Sequence, residues 1–183
     1  MSNSRNEIRT NGGRLTIRKS GTDTNGDLLE MEVSYPPYSA KPAYHYHPYQ
    51  EEHFEVLQGN FYIKIGDTER TYETGEKFNI PKNTAHWMHN ISDEEGCLLW
   101  QVRPAMKTQA FLETMWGLEA DSKTNANGVP NLLQLAVILR EYSDEFRAFS
   151  PPYWIQCILF GILSPIGKLS GYRASYPKYH REI

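Results

Sequence analysis

The chain lacks the surplus of basic residues that a nucleic-acid surface needs. Its 183 residues include 19 lysines and arginines against 22 aspartates and glutamates, a net charge of -3, and the isoelectric point is near 6.1. Proteins that bind nucleic acid normally present a basic face. We therefore expect a small-molecule substrate or ligand as the partner, and no nucleic acid.

Cysteine is also scarce, which excludes a disulfide framework and a cysteine-ligated zinc site. Cys97 and Cys157 are the two cysteines of the chain, and neither lies in a C-x-x-C spacing. Such a pattern is typical of reduced thiols and favours a cytoplasmic protein. We expect each cysteine to be a small buried apolar side chain.

Long apolar runs are missing as well. The N-terminal stretch M-S-N-S-R-N-E-I-R-T-N-G-G lacks the apolar region of a signal peptide, so we expect no secretion. The most apolar run, residues 153–163, is well short of the roughly 18 residues that cross a bilayer. We interpret it as a helix buried in the fold or in a dimer contact. Membrane contact through residues 153–168 is the less favoured alternative.

What the first hundred residues do contain is alternation of apolar and polar side chains. Leu29, Met31 and Val33 alternate with acidic residues, as in a strand with one buried face. The pair Gly66-Asp67 predicts a hairpin turn of type II′ character. Roughly eight to ten short strands without an intervening helix predict a sandwich or a small closed barrel. The predicted strands are 14–19, 29–35, 43–47, 52–58, 61–65, 68–74, 77–80, 85–91 and 97–103.

After Pro104 the periodicity becomes helical. The chain therefore divides into a mainly β domain over residues 14–104 and a C-terminal α-helical extension over residues 105–183. The apolar stripe of the extension has to dock on the β domain or on a second copy of the chain. Three helices are expected: 106–116 ending at Gly117, 131–147 opened by Pro130, and 153–163 ending before Pro165.

Four side chains form a candidate metal site. His45 and His47 are one residue apart, so on a strand their imidazoles point to the same face about 7 Å apart. With His86 and the carboxylate of Glu52 they make a mixed nitrogen and oxygen donor set. Such a set suits iron, manganese, nickel, copper or zinc and leaves a position open for substrate or water. Glu51 is the alternative carboxylate.

The alternation also predicts which residues line a pocket beside this site. If His86 points inward, Met88 and Asn90 do so too, because successive side chains of a strand alternate between its faces. On the neighbouring strand, Phe54 and Val56 share the face of the ligand Glu52. Ordinary filling of the barrel interior is an equally strong interpretation of these four residues. His53 and His89 have the opposite parity, which favours solvent or structural roles.

The two segments that carry these residues resemble a known family. The pattern H-x-H-x(4)-E-x(6)-G begins at His45, and the pattern G-x(5)-P-x(4)-H-x(3)-N ends at Asn90. Together they are similar to the two-part signature of the cupin superfamily, over residues 40–104. The resemblance implies a double-stranded β-helix, or jelly-roll, barrel with a metal ion in its mouth. Its ligands would be the residues that match His45, His47, Glu52 and His86.

This chain departs from the family pattern at two places. Ser39 stands where the pattern often has a glycine, and Asn83 stands where the second motif usually has P-x-G. Asparagine can adopt the left-handed backbone conformation that the turn glycine supplies. We therefore expect the hairpin to keep its geometry, and neither departure changes a ligand.

The resemblance also implies a function. We expect a metal-dependent enzyme that acts on a small organic molecule, an oxidoreductase similar to cupin dioxygenases of the quercetinase type, with one divalent transition metal. Glu52 would alternate between ligand and general base, a role that requires a pKa near neutrality. The alternatives are a non-catalytic binding or sensing cupin and a metal-dependent isomerase or lyase. An edge strand and the amphipathic helix favour a homodimer.

Overall fold

The computed structural model describes residues 7–180. Residues 1–6 and 181–183 lie outside this range, so the expectation that the extreme N-terminus carries no signal peptide falls partly on residues that the structure does not describe. The strands are β1 Glu7–Thr10, β2 Gly13–Lys19, β3 Leu29–Tyr35, β4 His45–Tyr46, β5 Glu51–Gln58, β6 Phe61–Ile65, β7 Thr68–Tyr72, β8 Lys77–Ile80, β9 His86–Asn90, β10 Gly96–Arg103 and β11 Arg147–Ala148. The helices are α1 Thr108–Ala120, α2 Leu132–Glu141 and α3 Tyr153–Leu169, followed by a short 3-10 helix at Pro177–Tyr179.

Within the described residues the strands pair as two antiparallel sheets. The larger sheet has the order β1-β2-β3-β10-β5-β8, and the smaller has the order β11-β4-β9-β6-β7. The mainly β jelly-roll fold with C-terminal helices is thus confirmed, as two facing sheets rather than one continuous closed sheet. We call these facing sheets the barrel.

Alternation accounts for most of the strands. In β3, Leu29, Met31 and Val33 are at most 1% exposed, whereas the acidic residues between them are half-buried. Gly66 has φ 57°, which agrees with the predicted hairpin turn. Strand β1 was not predicted, because Ile8 is its single apolar residue and gives no alternation. Pairing with β2, which places Ile8 opposite Leu15, makes it a strand.

The buried apolar residues form two clusters. One lies between the sheets and includes Phe54, Val56 and Phe61. The other joins the β2–β3 end of the inner face of the larger sheet to the helices, with Met31 and Val33 in the same cluster as Ile138. The helical extension therefore docks on the barrel of its own chain, which was one of the two arrangements expected.

Helix α1 does not end at Gly117 as predicted but continues to Ala120. A β-carbon at Gly117 would lie 2.4 Å from ring atoms of Tyr179. The glycine therefore permits close contact with the C-terminal segment and does not terminate the helix.

Helix α2 is shorter than predicted. Asn131, not Pro130, caps its start by accepting a hydrogen bond from Gln134 N. The helix ends at Glu141, six residues before the predicted end at position 147. The chain then leaves the helical path because Arg147 and Ala148 pair with β4 as strand β11.

Helix α3 passes through Pro165 to Leu169, beyond the predicted end. Its buried residues are small or polar, namely Gln156, Ser164 and Gly167. At Gly167 a β-carbon would lie 2.7 Å from Val137 Cγ2, so α2 and α3 are in close contact there. The remaining apolar side chains of α3 are largely exposed, and the predicted burial within the fold is therefore wrong.

The two cysteines have different environments. Cys97 is buried as expected, and burial raises the pKa of its thiol to about 11. Cys157 is exposed on α3, which corrects the expectation of a buried side chain. Among the residues described, no helix combines the length and apolar composition needed to cross a bilayer.

Candidate metal centre and cavity

The four predicted ligands come from both sheets of the barrel. His45 lies in β4 and is paired with His86 in β9, so the two imidazoles project from adjacent strands of the smaller sheet. His47 follows β4 by one residue, and Glu52 lies in β5 of the larger sheet. The ligands therefore face one another across the gap between the sheets.

Their side chains meet at one place. A ring nitrogen from each of His45, His47 and His86 lies within 4.8 Å of those of the other two. Glu52 Oε1 is 3.3 Å from His47 Nε2, and Glu52 Oε2 is 3.1 Å from His86 Nε2. The structure thus brings the four candidate ligands together, with Glu52 as the carboxylate. Glu51 instead contacts His53 on the exposed side of β5.

Each imidazole is oriented by a backbone carbonyl at its Nδ1. His45 Nδ1 is 2.8 Å from the carbonyl oxygen of Ala43, and His86 Nδ1 is 3.1 Å from that of Thr84. His47 Nδ1 contacts the carbonyl oxygen of Glu145 at 2.5 Å. A carbonyl can only accept, so each Nδ1 carries a proton, and in the neutral form of each ring Nε2 has a free lone pair. This tautomer is the one that ligates metal through Nε2.

The site leaves buried polar atoms without partners. His47 Nε2 and Glu52 Oε2 are inaccessible to solvent and make no hydrogen bond to the part of the chain that the structure describes. Buried polar atoms are nearly always paired, because an unpaired group loses its hydration without compensation. A divalent cation bound by three imidazole nitrogens and one carboxylate oxygen would satisfy both atoms. The donor set therefore fits a transition metal.

The electrostatics of the site keep Glu52 ionised. Burial raises the pKa of Glu52, but the adjacent His47 and His86 lower it by a larger amount. The net pKa is about 2. Trp100 Nε1 donates a hydrogen bond to Glu52 Oε1 at 3.0 Å and also favours the charged form. This result corrects the expectation of a pKa near neutrality for this side chain.

The histidines respond in different directions. Burial lowers the pKa of both His45 and His47. For His86, burial also lowers the pKa, but the carboxylate of Glu52 more than offsets it and the net pKa is raised. His45 and His47 are therefore neutral at physiological pH, which is the form that binds metal.

A cavity of about 240 Å³ adjoins the four ligands. Two of the predicted pocket residues, Phe54 and Met88, line it, and Val56 and Asn90 do not. Val56 shares the inward face but lies deeper between the sheets. Asn90 is at the far end of β9, where its amide donates to the carbonyl oxygens of Pro36 and Glu94. The prediction is therefore corrected for Val56 and Asn90.

Much of the cavity wall comes from residues that the sequence did not identify. The side chains contributed by the extension include Thr108, Phe111, Trp116, Glu145 and Phe146. The ring of Phe146 stacks on that of His45, with centroids 4.6 Å apart. In the sequence Phe111, Trp116 and Phe146 belong to apparent helical stripes and Glu145 lies on a polar helix face, so no local signal marks them as cavity residues.

Two departures from the family pattern keep the local structure intact. Asn83 has φ 61°, which confirms that asparagine takes the left-handed conformation in this turn. Ser39 accepts a hydrogen bond from the backbone N–H of Asn90 through its hydroxyl group. Both residues support the ends of strand β9.

This chain is similar to a family model and to two curated proteins. A family model described as "Cupin domain" matches residues 31–102. The "Probable oxidoreductase virH" of Hypocrea virens is 27% identical over 188 residues, covering 96% of this chain and 81% of that protein. The "Probable oxidoreductase yanE" of Aspergillus niger is 27% identical over 163 residues, covering 76% of this chain and 59% of that protein.

Among solved structures, an RmlC-like cupin from Shewanella frigidimarina aligns with a TM-score of 0.50 and 16% identity. The alignment covers 60% of this chain and 93% of that one. At this identity the likeness is evidence for the fold alone. The alignment leaves 40% of this chain uncovered.

Proposed function

We propose that the chain is a metal-dependent oxidoreductase of dioxygenase type that acts on a small organic molecule, and the premise is the match of residues 31–102 to the cupin domain model. The observation that carries the proposal is the meeting of three imidazoles and one carboxylate at the wall of a largely apolar cavity. The names of the curated relatives, which describe probable oxidoreductases, support the same reaction class.

His45, His47, His86 and Glu52 would hold the metal. A divalent transition metal bound there would act as a Lewis acid and leave one or two positions for substrate or dioxygen. Its identity is open among iron, manganese, nickel, copper and zinc, because all of them accept this donor set.

The surrounding residues prepare the site for this chemistry. Trp100 fixes the carboxylate of Glu52 by its indole N–H, and three carbonyls fix the imidazole rings. The apolar side chains of Phe54, Met88 and Phe111 limit the access of water to the cavity. With its pKa at about 2, Glu52 serves as an ionised ligand. A general base for the reaction would have to be another group.

The apolar wall favours oxidation over sugar isomerisation. A site for a sugar substrate needs several hydroxyl-binding groups, whereas the polar groups of this cavity beyond the ligands are few, namely those of Tyr35, Trp100, Thr108 and Glu145. The binding or sensing alternative requires that a ligand leaves the cavity unchanged, which a turnover assay detects.

The test begins with metal analysis of protein purified without an affinity tag, followed by oxygen-uptake assays with flavonols and β-diketones. We expect about one divalent ion per chain and oxygen uptake with at least one substrate of these classes. His86→Ala should lose the ion, and His89→Ala on the same strand should retain it, because His89 points to the opposite face of the strand. A protein that binds no divalent ion contradicts the proposal.

A further inference from the structure

We propose that Glu145, supplied by the helical extension, recognises a hydroxyl group of a compact and otherwise apolar substrate. This inference rests on the proposed function, since it concerns the cavity beside the same candidate metal centre. It adds a binding group from outside the cupin domain and a requirement on the chemistry of the substrate.

The side chain of Glu145 is buried and only half satisfied. The residue is 3% exposed and lines the cavity. Its Oε1 accepts a hydrogen bond from the backbone N–H of Lys107 at 3.2 Å. Its Oε2 is inaccessible to solvent and has no hydrogen-bond partner within residues 7–180. Buried polar atoms are nearly always hydrogen-bonded, so a group of a bound ligand would explain this unpaired oxygen.

The contacts that Glu145 makes with His47 and Lys107 do not involve its Oε2. The contact with His47 is made by the backbone carbonyl oxygen of Glu145, which any residue supplies. The contact with Lys107 uses Oε1 alone. The second oxygen therefore has no structural role among the described residues.

The rest of the cavity defines that molecule. Its walls are formed mainly by the aromatic side chains of Phe54, Trp100, Phe111, Trp116 and Phe146. Its volume of about 240 Å³ is just below the range of roughly 300 to 1,000 Å³ that holds drug-sized ligands. The cavity therefore suits a compact, largely apolar molecule with a hydroxyl group that pairs with Glu145.

Phenol and toluene are suitable probes because they have nearly the same shape and differ in the hydroxyl group. Binding is measured by ligand-observed NMR titration with metal-loaded and metal-free protein. We expect the wild type to prefer phenol by about ten- to a hundredfold in both forms, because phenol pairs with Oε2 and toluene leaves it unpaired. Equal affinity for the two probes overturns the proposal.

Substitution assigns the preference to Glu145. Glu145→Met keeps a side chain of similar length and removes the carboxyl group, and it should reduce the preference to about one. Glu51→Met, which alters an exposed carboxyl group on the outer side of β5, is the matched control and should leave the preference unchanged. A preference that survives in Glu145→Met overturns the proposal, and so does one that is present only in metal-loaded protein.

These outcomes separate the two proposals. A protein that binds no metal but still prefers phenol through Glu145 contradicts the proposed function and supports this inference. If Glu145→Met does not fold, Glu145→Leu takes its place, and a preference for phenol that survives in that variant overturns the inference.

A second inference concerns the outer face of α3, which we define as Trp154, Ile158, Ile162, Ile166 and Leu169. We infer that this face packs on the same face of a second copy of the chain. The side chains recur every three or four residues, so they lie on one side of the helix. Trp154, Ile158 and Ile162 are 59–65% exposed. Ile166 is 46% exposed and Leu169 is 91% exposed.

A second copy fits this face better than a membrane surface does. Helices that lie in a membrane interface carry several basic residues on their polar face. Lys168 is the one charged residue of α3, and the face opposite the apolar stripe is occupied by α2. Two uncharged stripes can instead meet across a twofold axis without repulsion between like charges.

The five side chains would form the apolar centre of a dimer interface. The five side chains expose on the order of 500 Å² of apolar surface per copy, where a stable interface buries roughly 800 Å² per partner. The exposed side chain of Phe149, near the start of the helix, extends the same apolar region.

Sedimentation velocity over a range of protein concentrations tests this inference. We expect the wild type to sediment as a dimer and the double variant Ile158→Glu/Ile162→Glu as a monomer with an unchanged circular dichroism spectrum. Val129→Glu, at an exposed apolar residue outside α3, is the control and should remain dimeric. A wild-type protein that is monomeric at all concentrations overturns the inference. Such a monomer that also co-sediments with vesicles of phosphatidylcholine and phosphatidylserine would indicate a membrane contact instead.

Discussion

The two sides of the candidate site differ in how their residues are encoded. On the barrel side, His45, His47 and Glu52 lie within one short stretch of sequence, and their spacing follows from the alternation of strands. On the other side, Glu145 reaches His47 from 98 positions further along the chain. The barrel supplies the ligands, and the extension orients one ligand and covers the cavity. A metal site that is complete as a sequence motif can therefore depend on a distant segment for its geometry.

Truncation after residue 104 is the strongest way to test this division of roles. It removes the helices that cover Leu29, Met31 and Val33 and would expose their apolar cluster to solvent. We expect aggregation or a changed oligomeric mass, measured by size-exclusion chromatography with light scattering. A soluble monomer with a cooperative thermal transition would contradict the view that the extension is part of the barrel core.

Two helical glycines provide a test within the extension. Gly117→Ala places a methyl group against the ring of Tyr179 and should destabilise the fold by about 1–3 kcal/mol through overpacking. Gly161→Ala meets the Arg140 side chain at 3.4 Å and should stabilise the fold by up to about 1 kcal/mol through helix propensity. Urea unfolding measures both. Equal effects of the two substitutions would show that Tyr179 does not constrain α1.

Phe146→Ala tests whether the extension supports the metal ligands. Loss of the ring stacked on His45 should free that imidazole to rotate and reduce metal affinity by about tenfold. The measurement is competition with a chelator. Phe149→Ala, three residues away and 56% exposed, is the control. Unchanged metal affinity in Phe146→Ala would show that this residue of the extension does not support the metal ligands.

The success of the sequence-based predictions follows the same division. The strands of the barrel and the convergence of His45, His47, Glu52 and His86 were predictable because alternation fixes which face a side chain occupies. Alternation does not say how deep a residue lies along the strand, and Val56 and Asn90 were misplaced for that reason. The ionisation of Glu52 also depends on neighbours from other strands, so its pKa could not be predicted from its position.

The helical segments were harder to predict because their ends depend on tertiary contacts. Gly117 and Pro165 are usual stop signals, yet α1 and α3 continue through them. In α1 the absence of a β-carbon allows Tyr179 to pack closely. Helix α2 ends early because the residues that follow it pair with β4.

By itself, the sequence determined the β architecture, the helical character of the extension and the identity of the four candidate ligands. These depend on periodicity and on residue spacing, which act over a few positions. Tertiary structure alone decided that Glu145 and Phe146 adjoin the ligands, that Glu145 keeps an unpaired buried oxygen, and that α3 leaves its apolar side exposed. Those features arise where segments far apart in the chain meet, and no local pattern records which segments will do so.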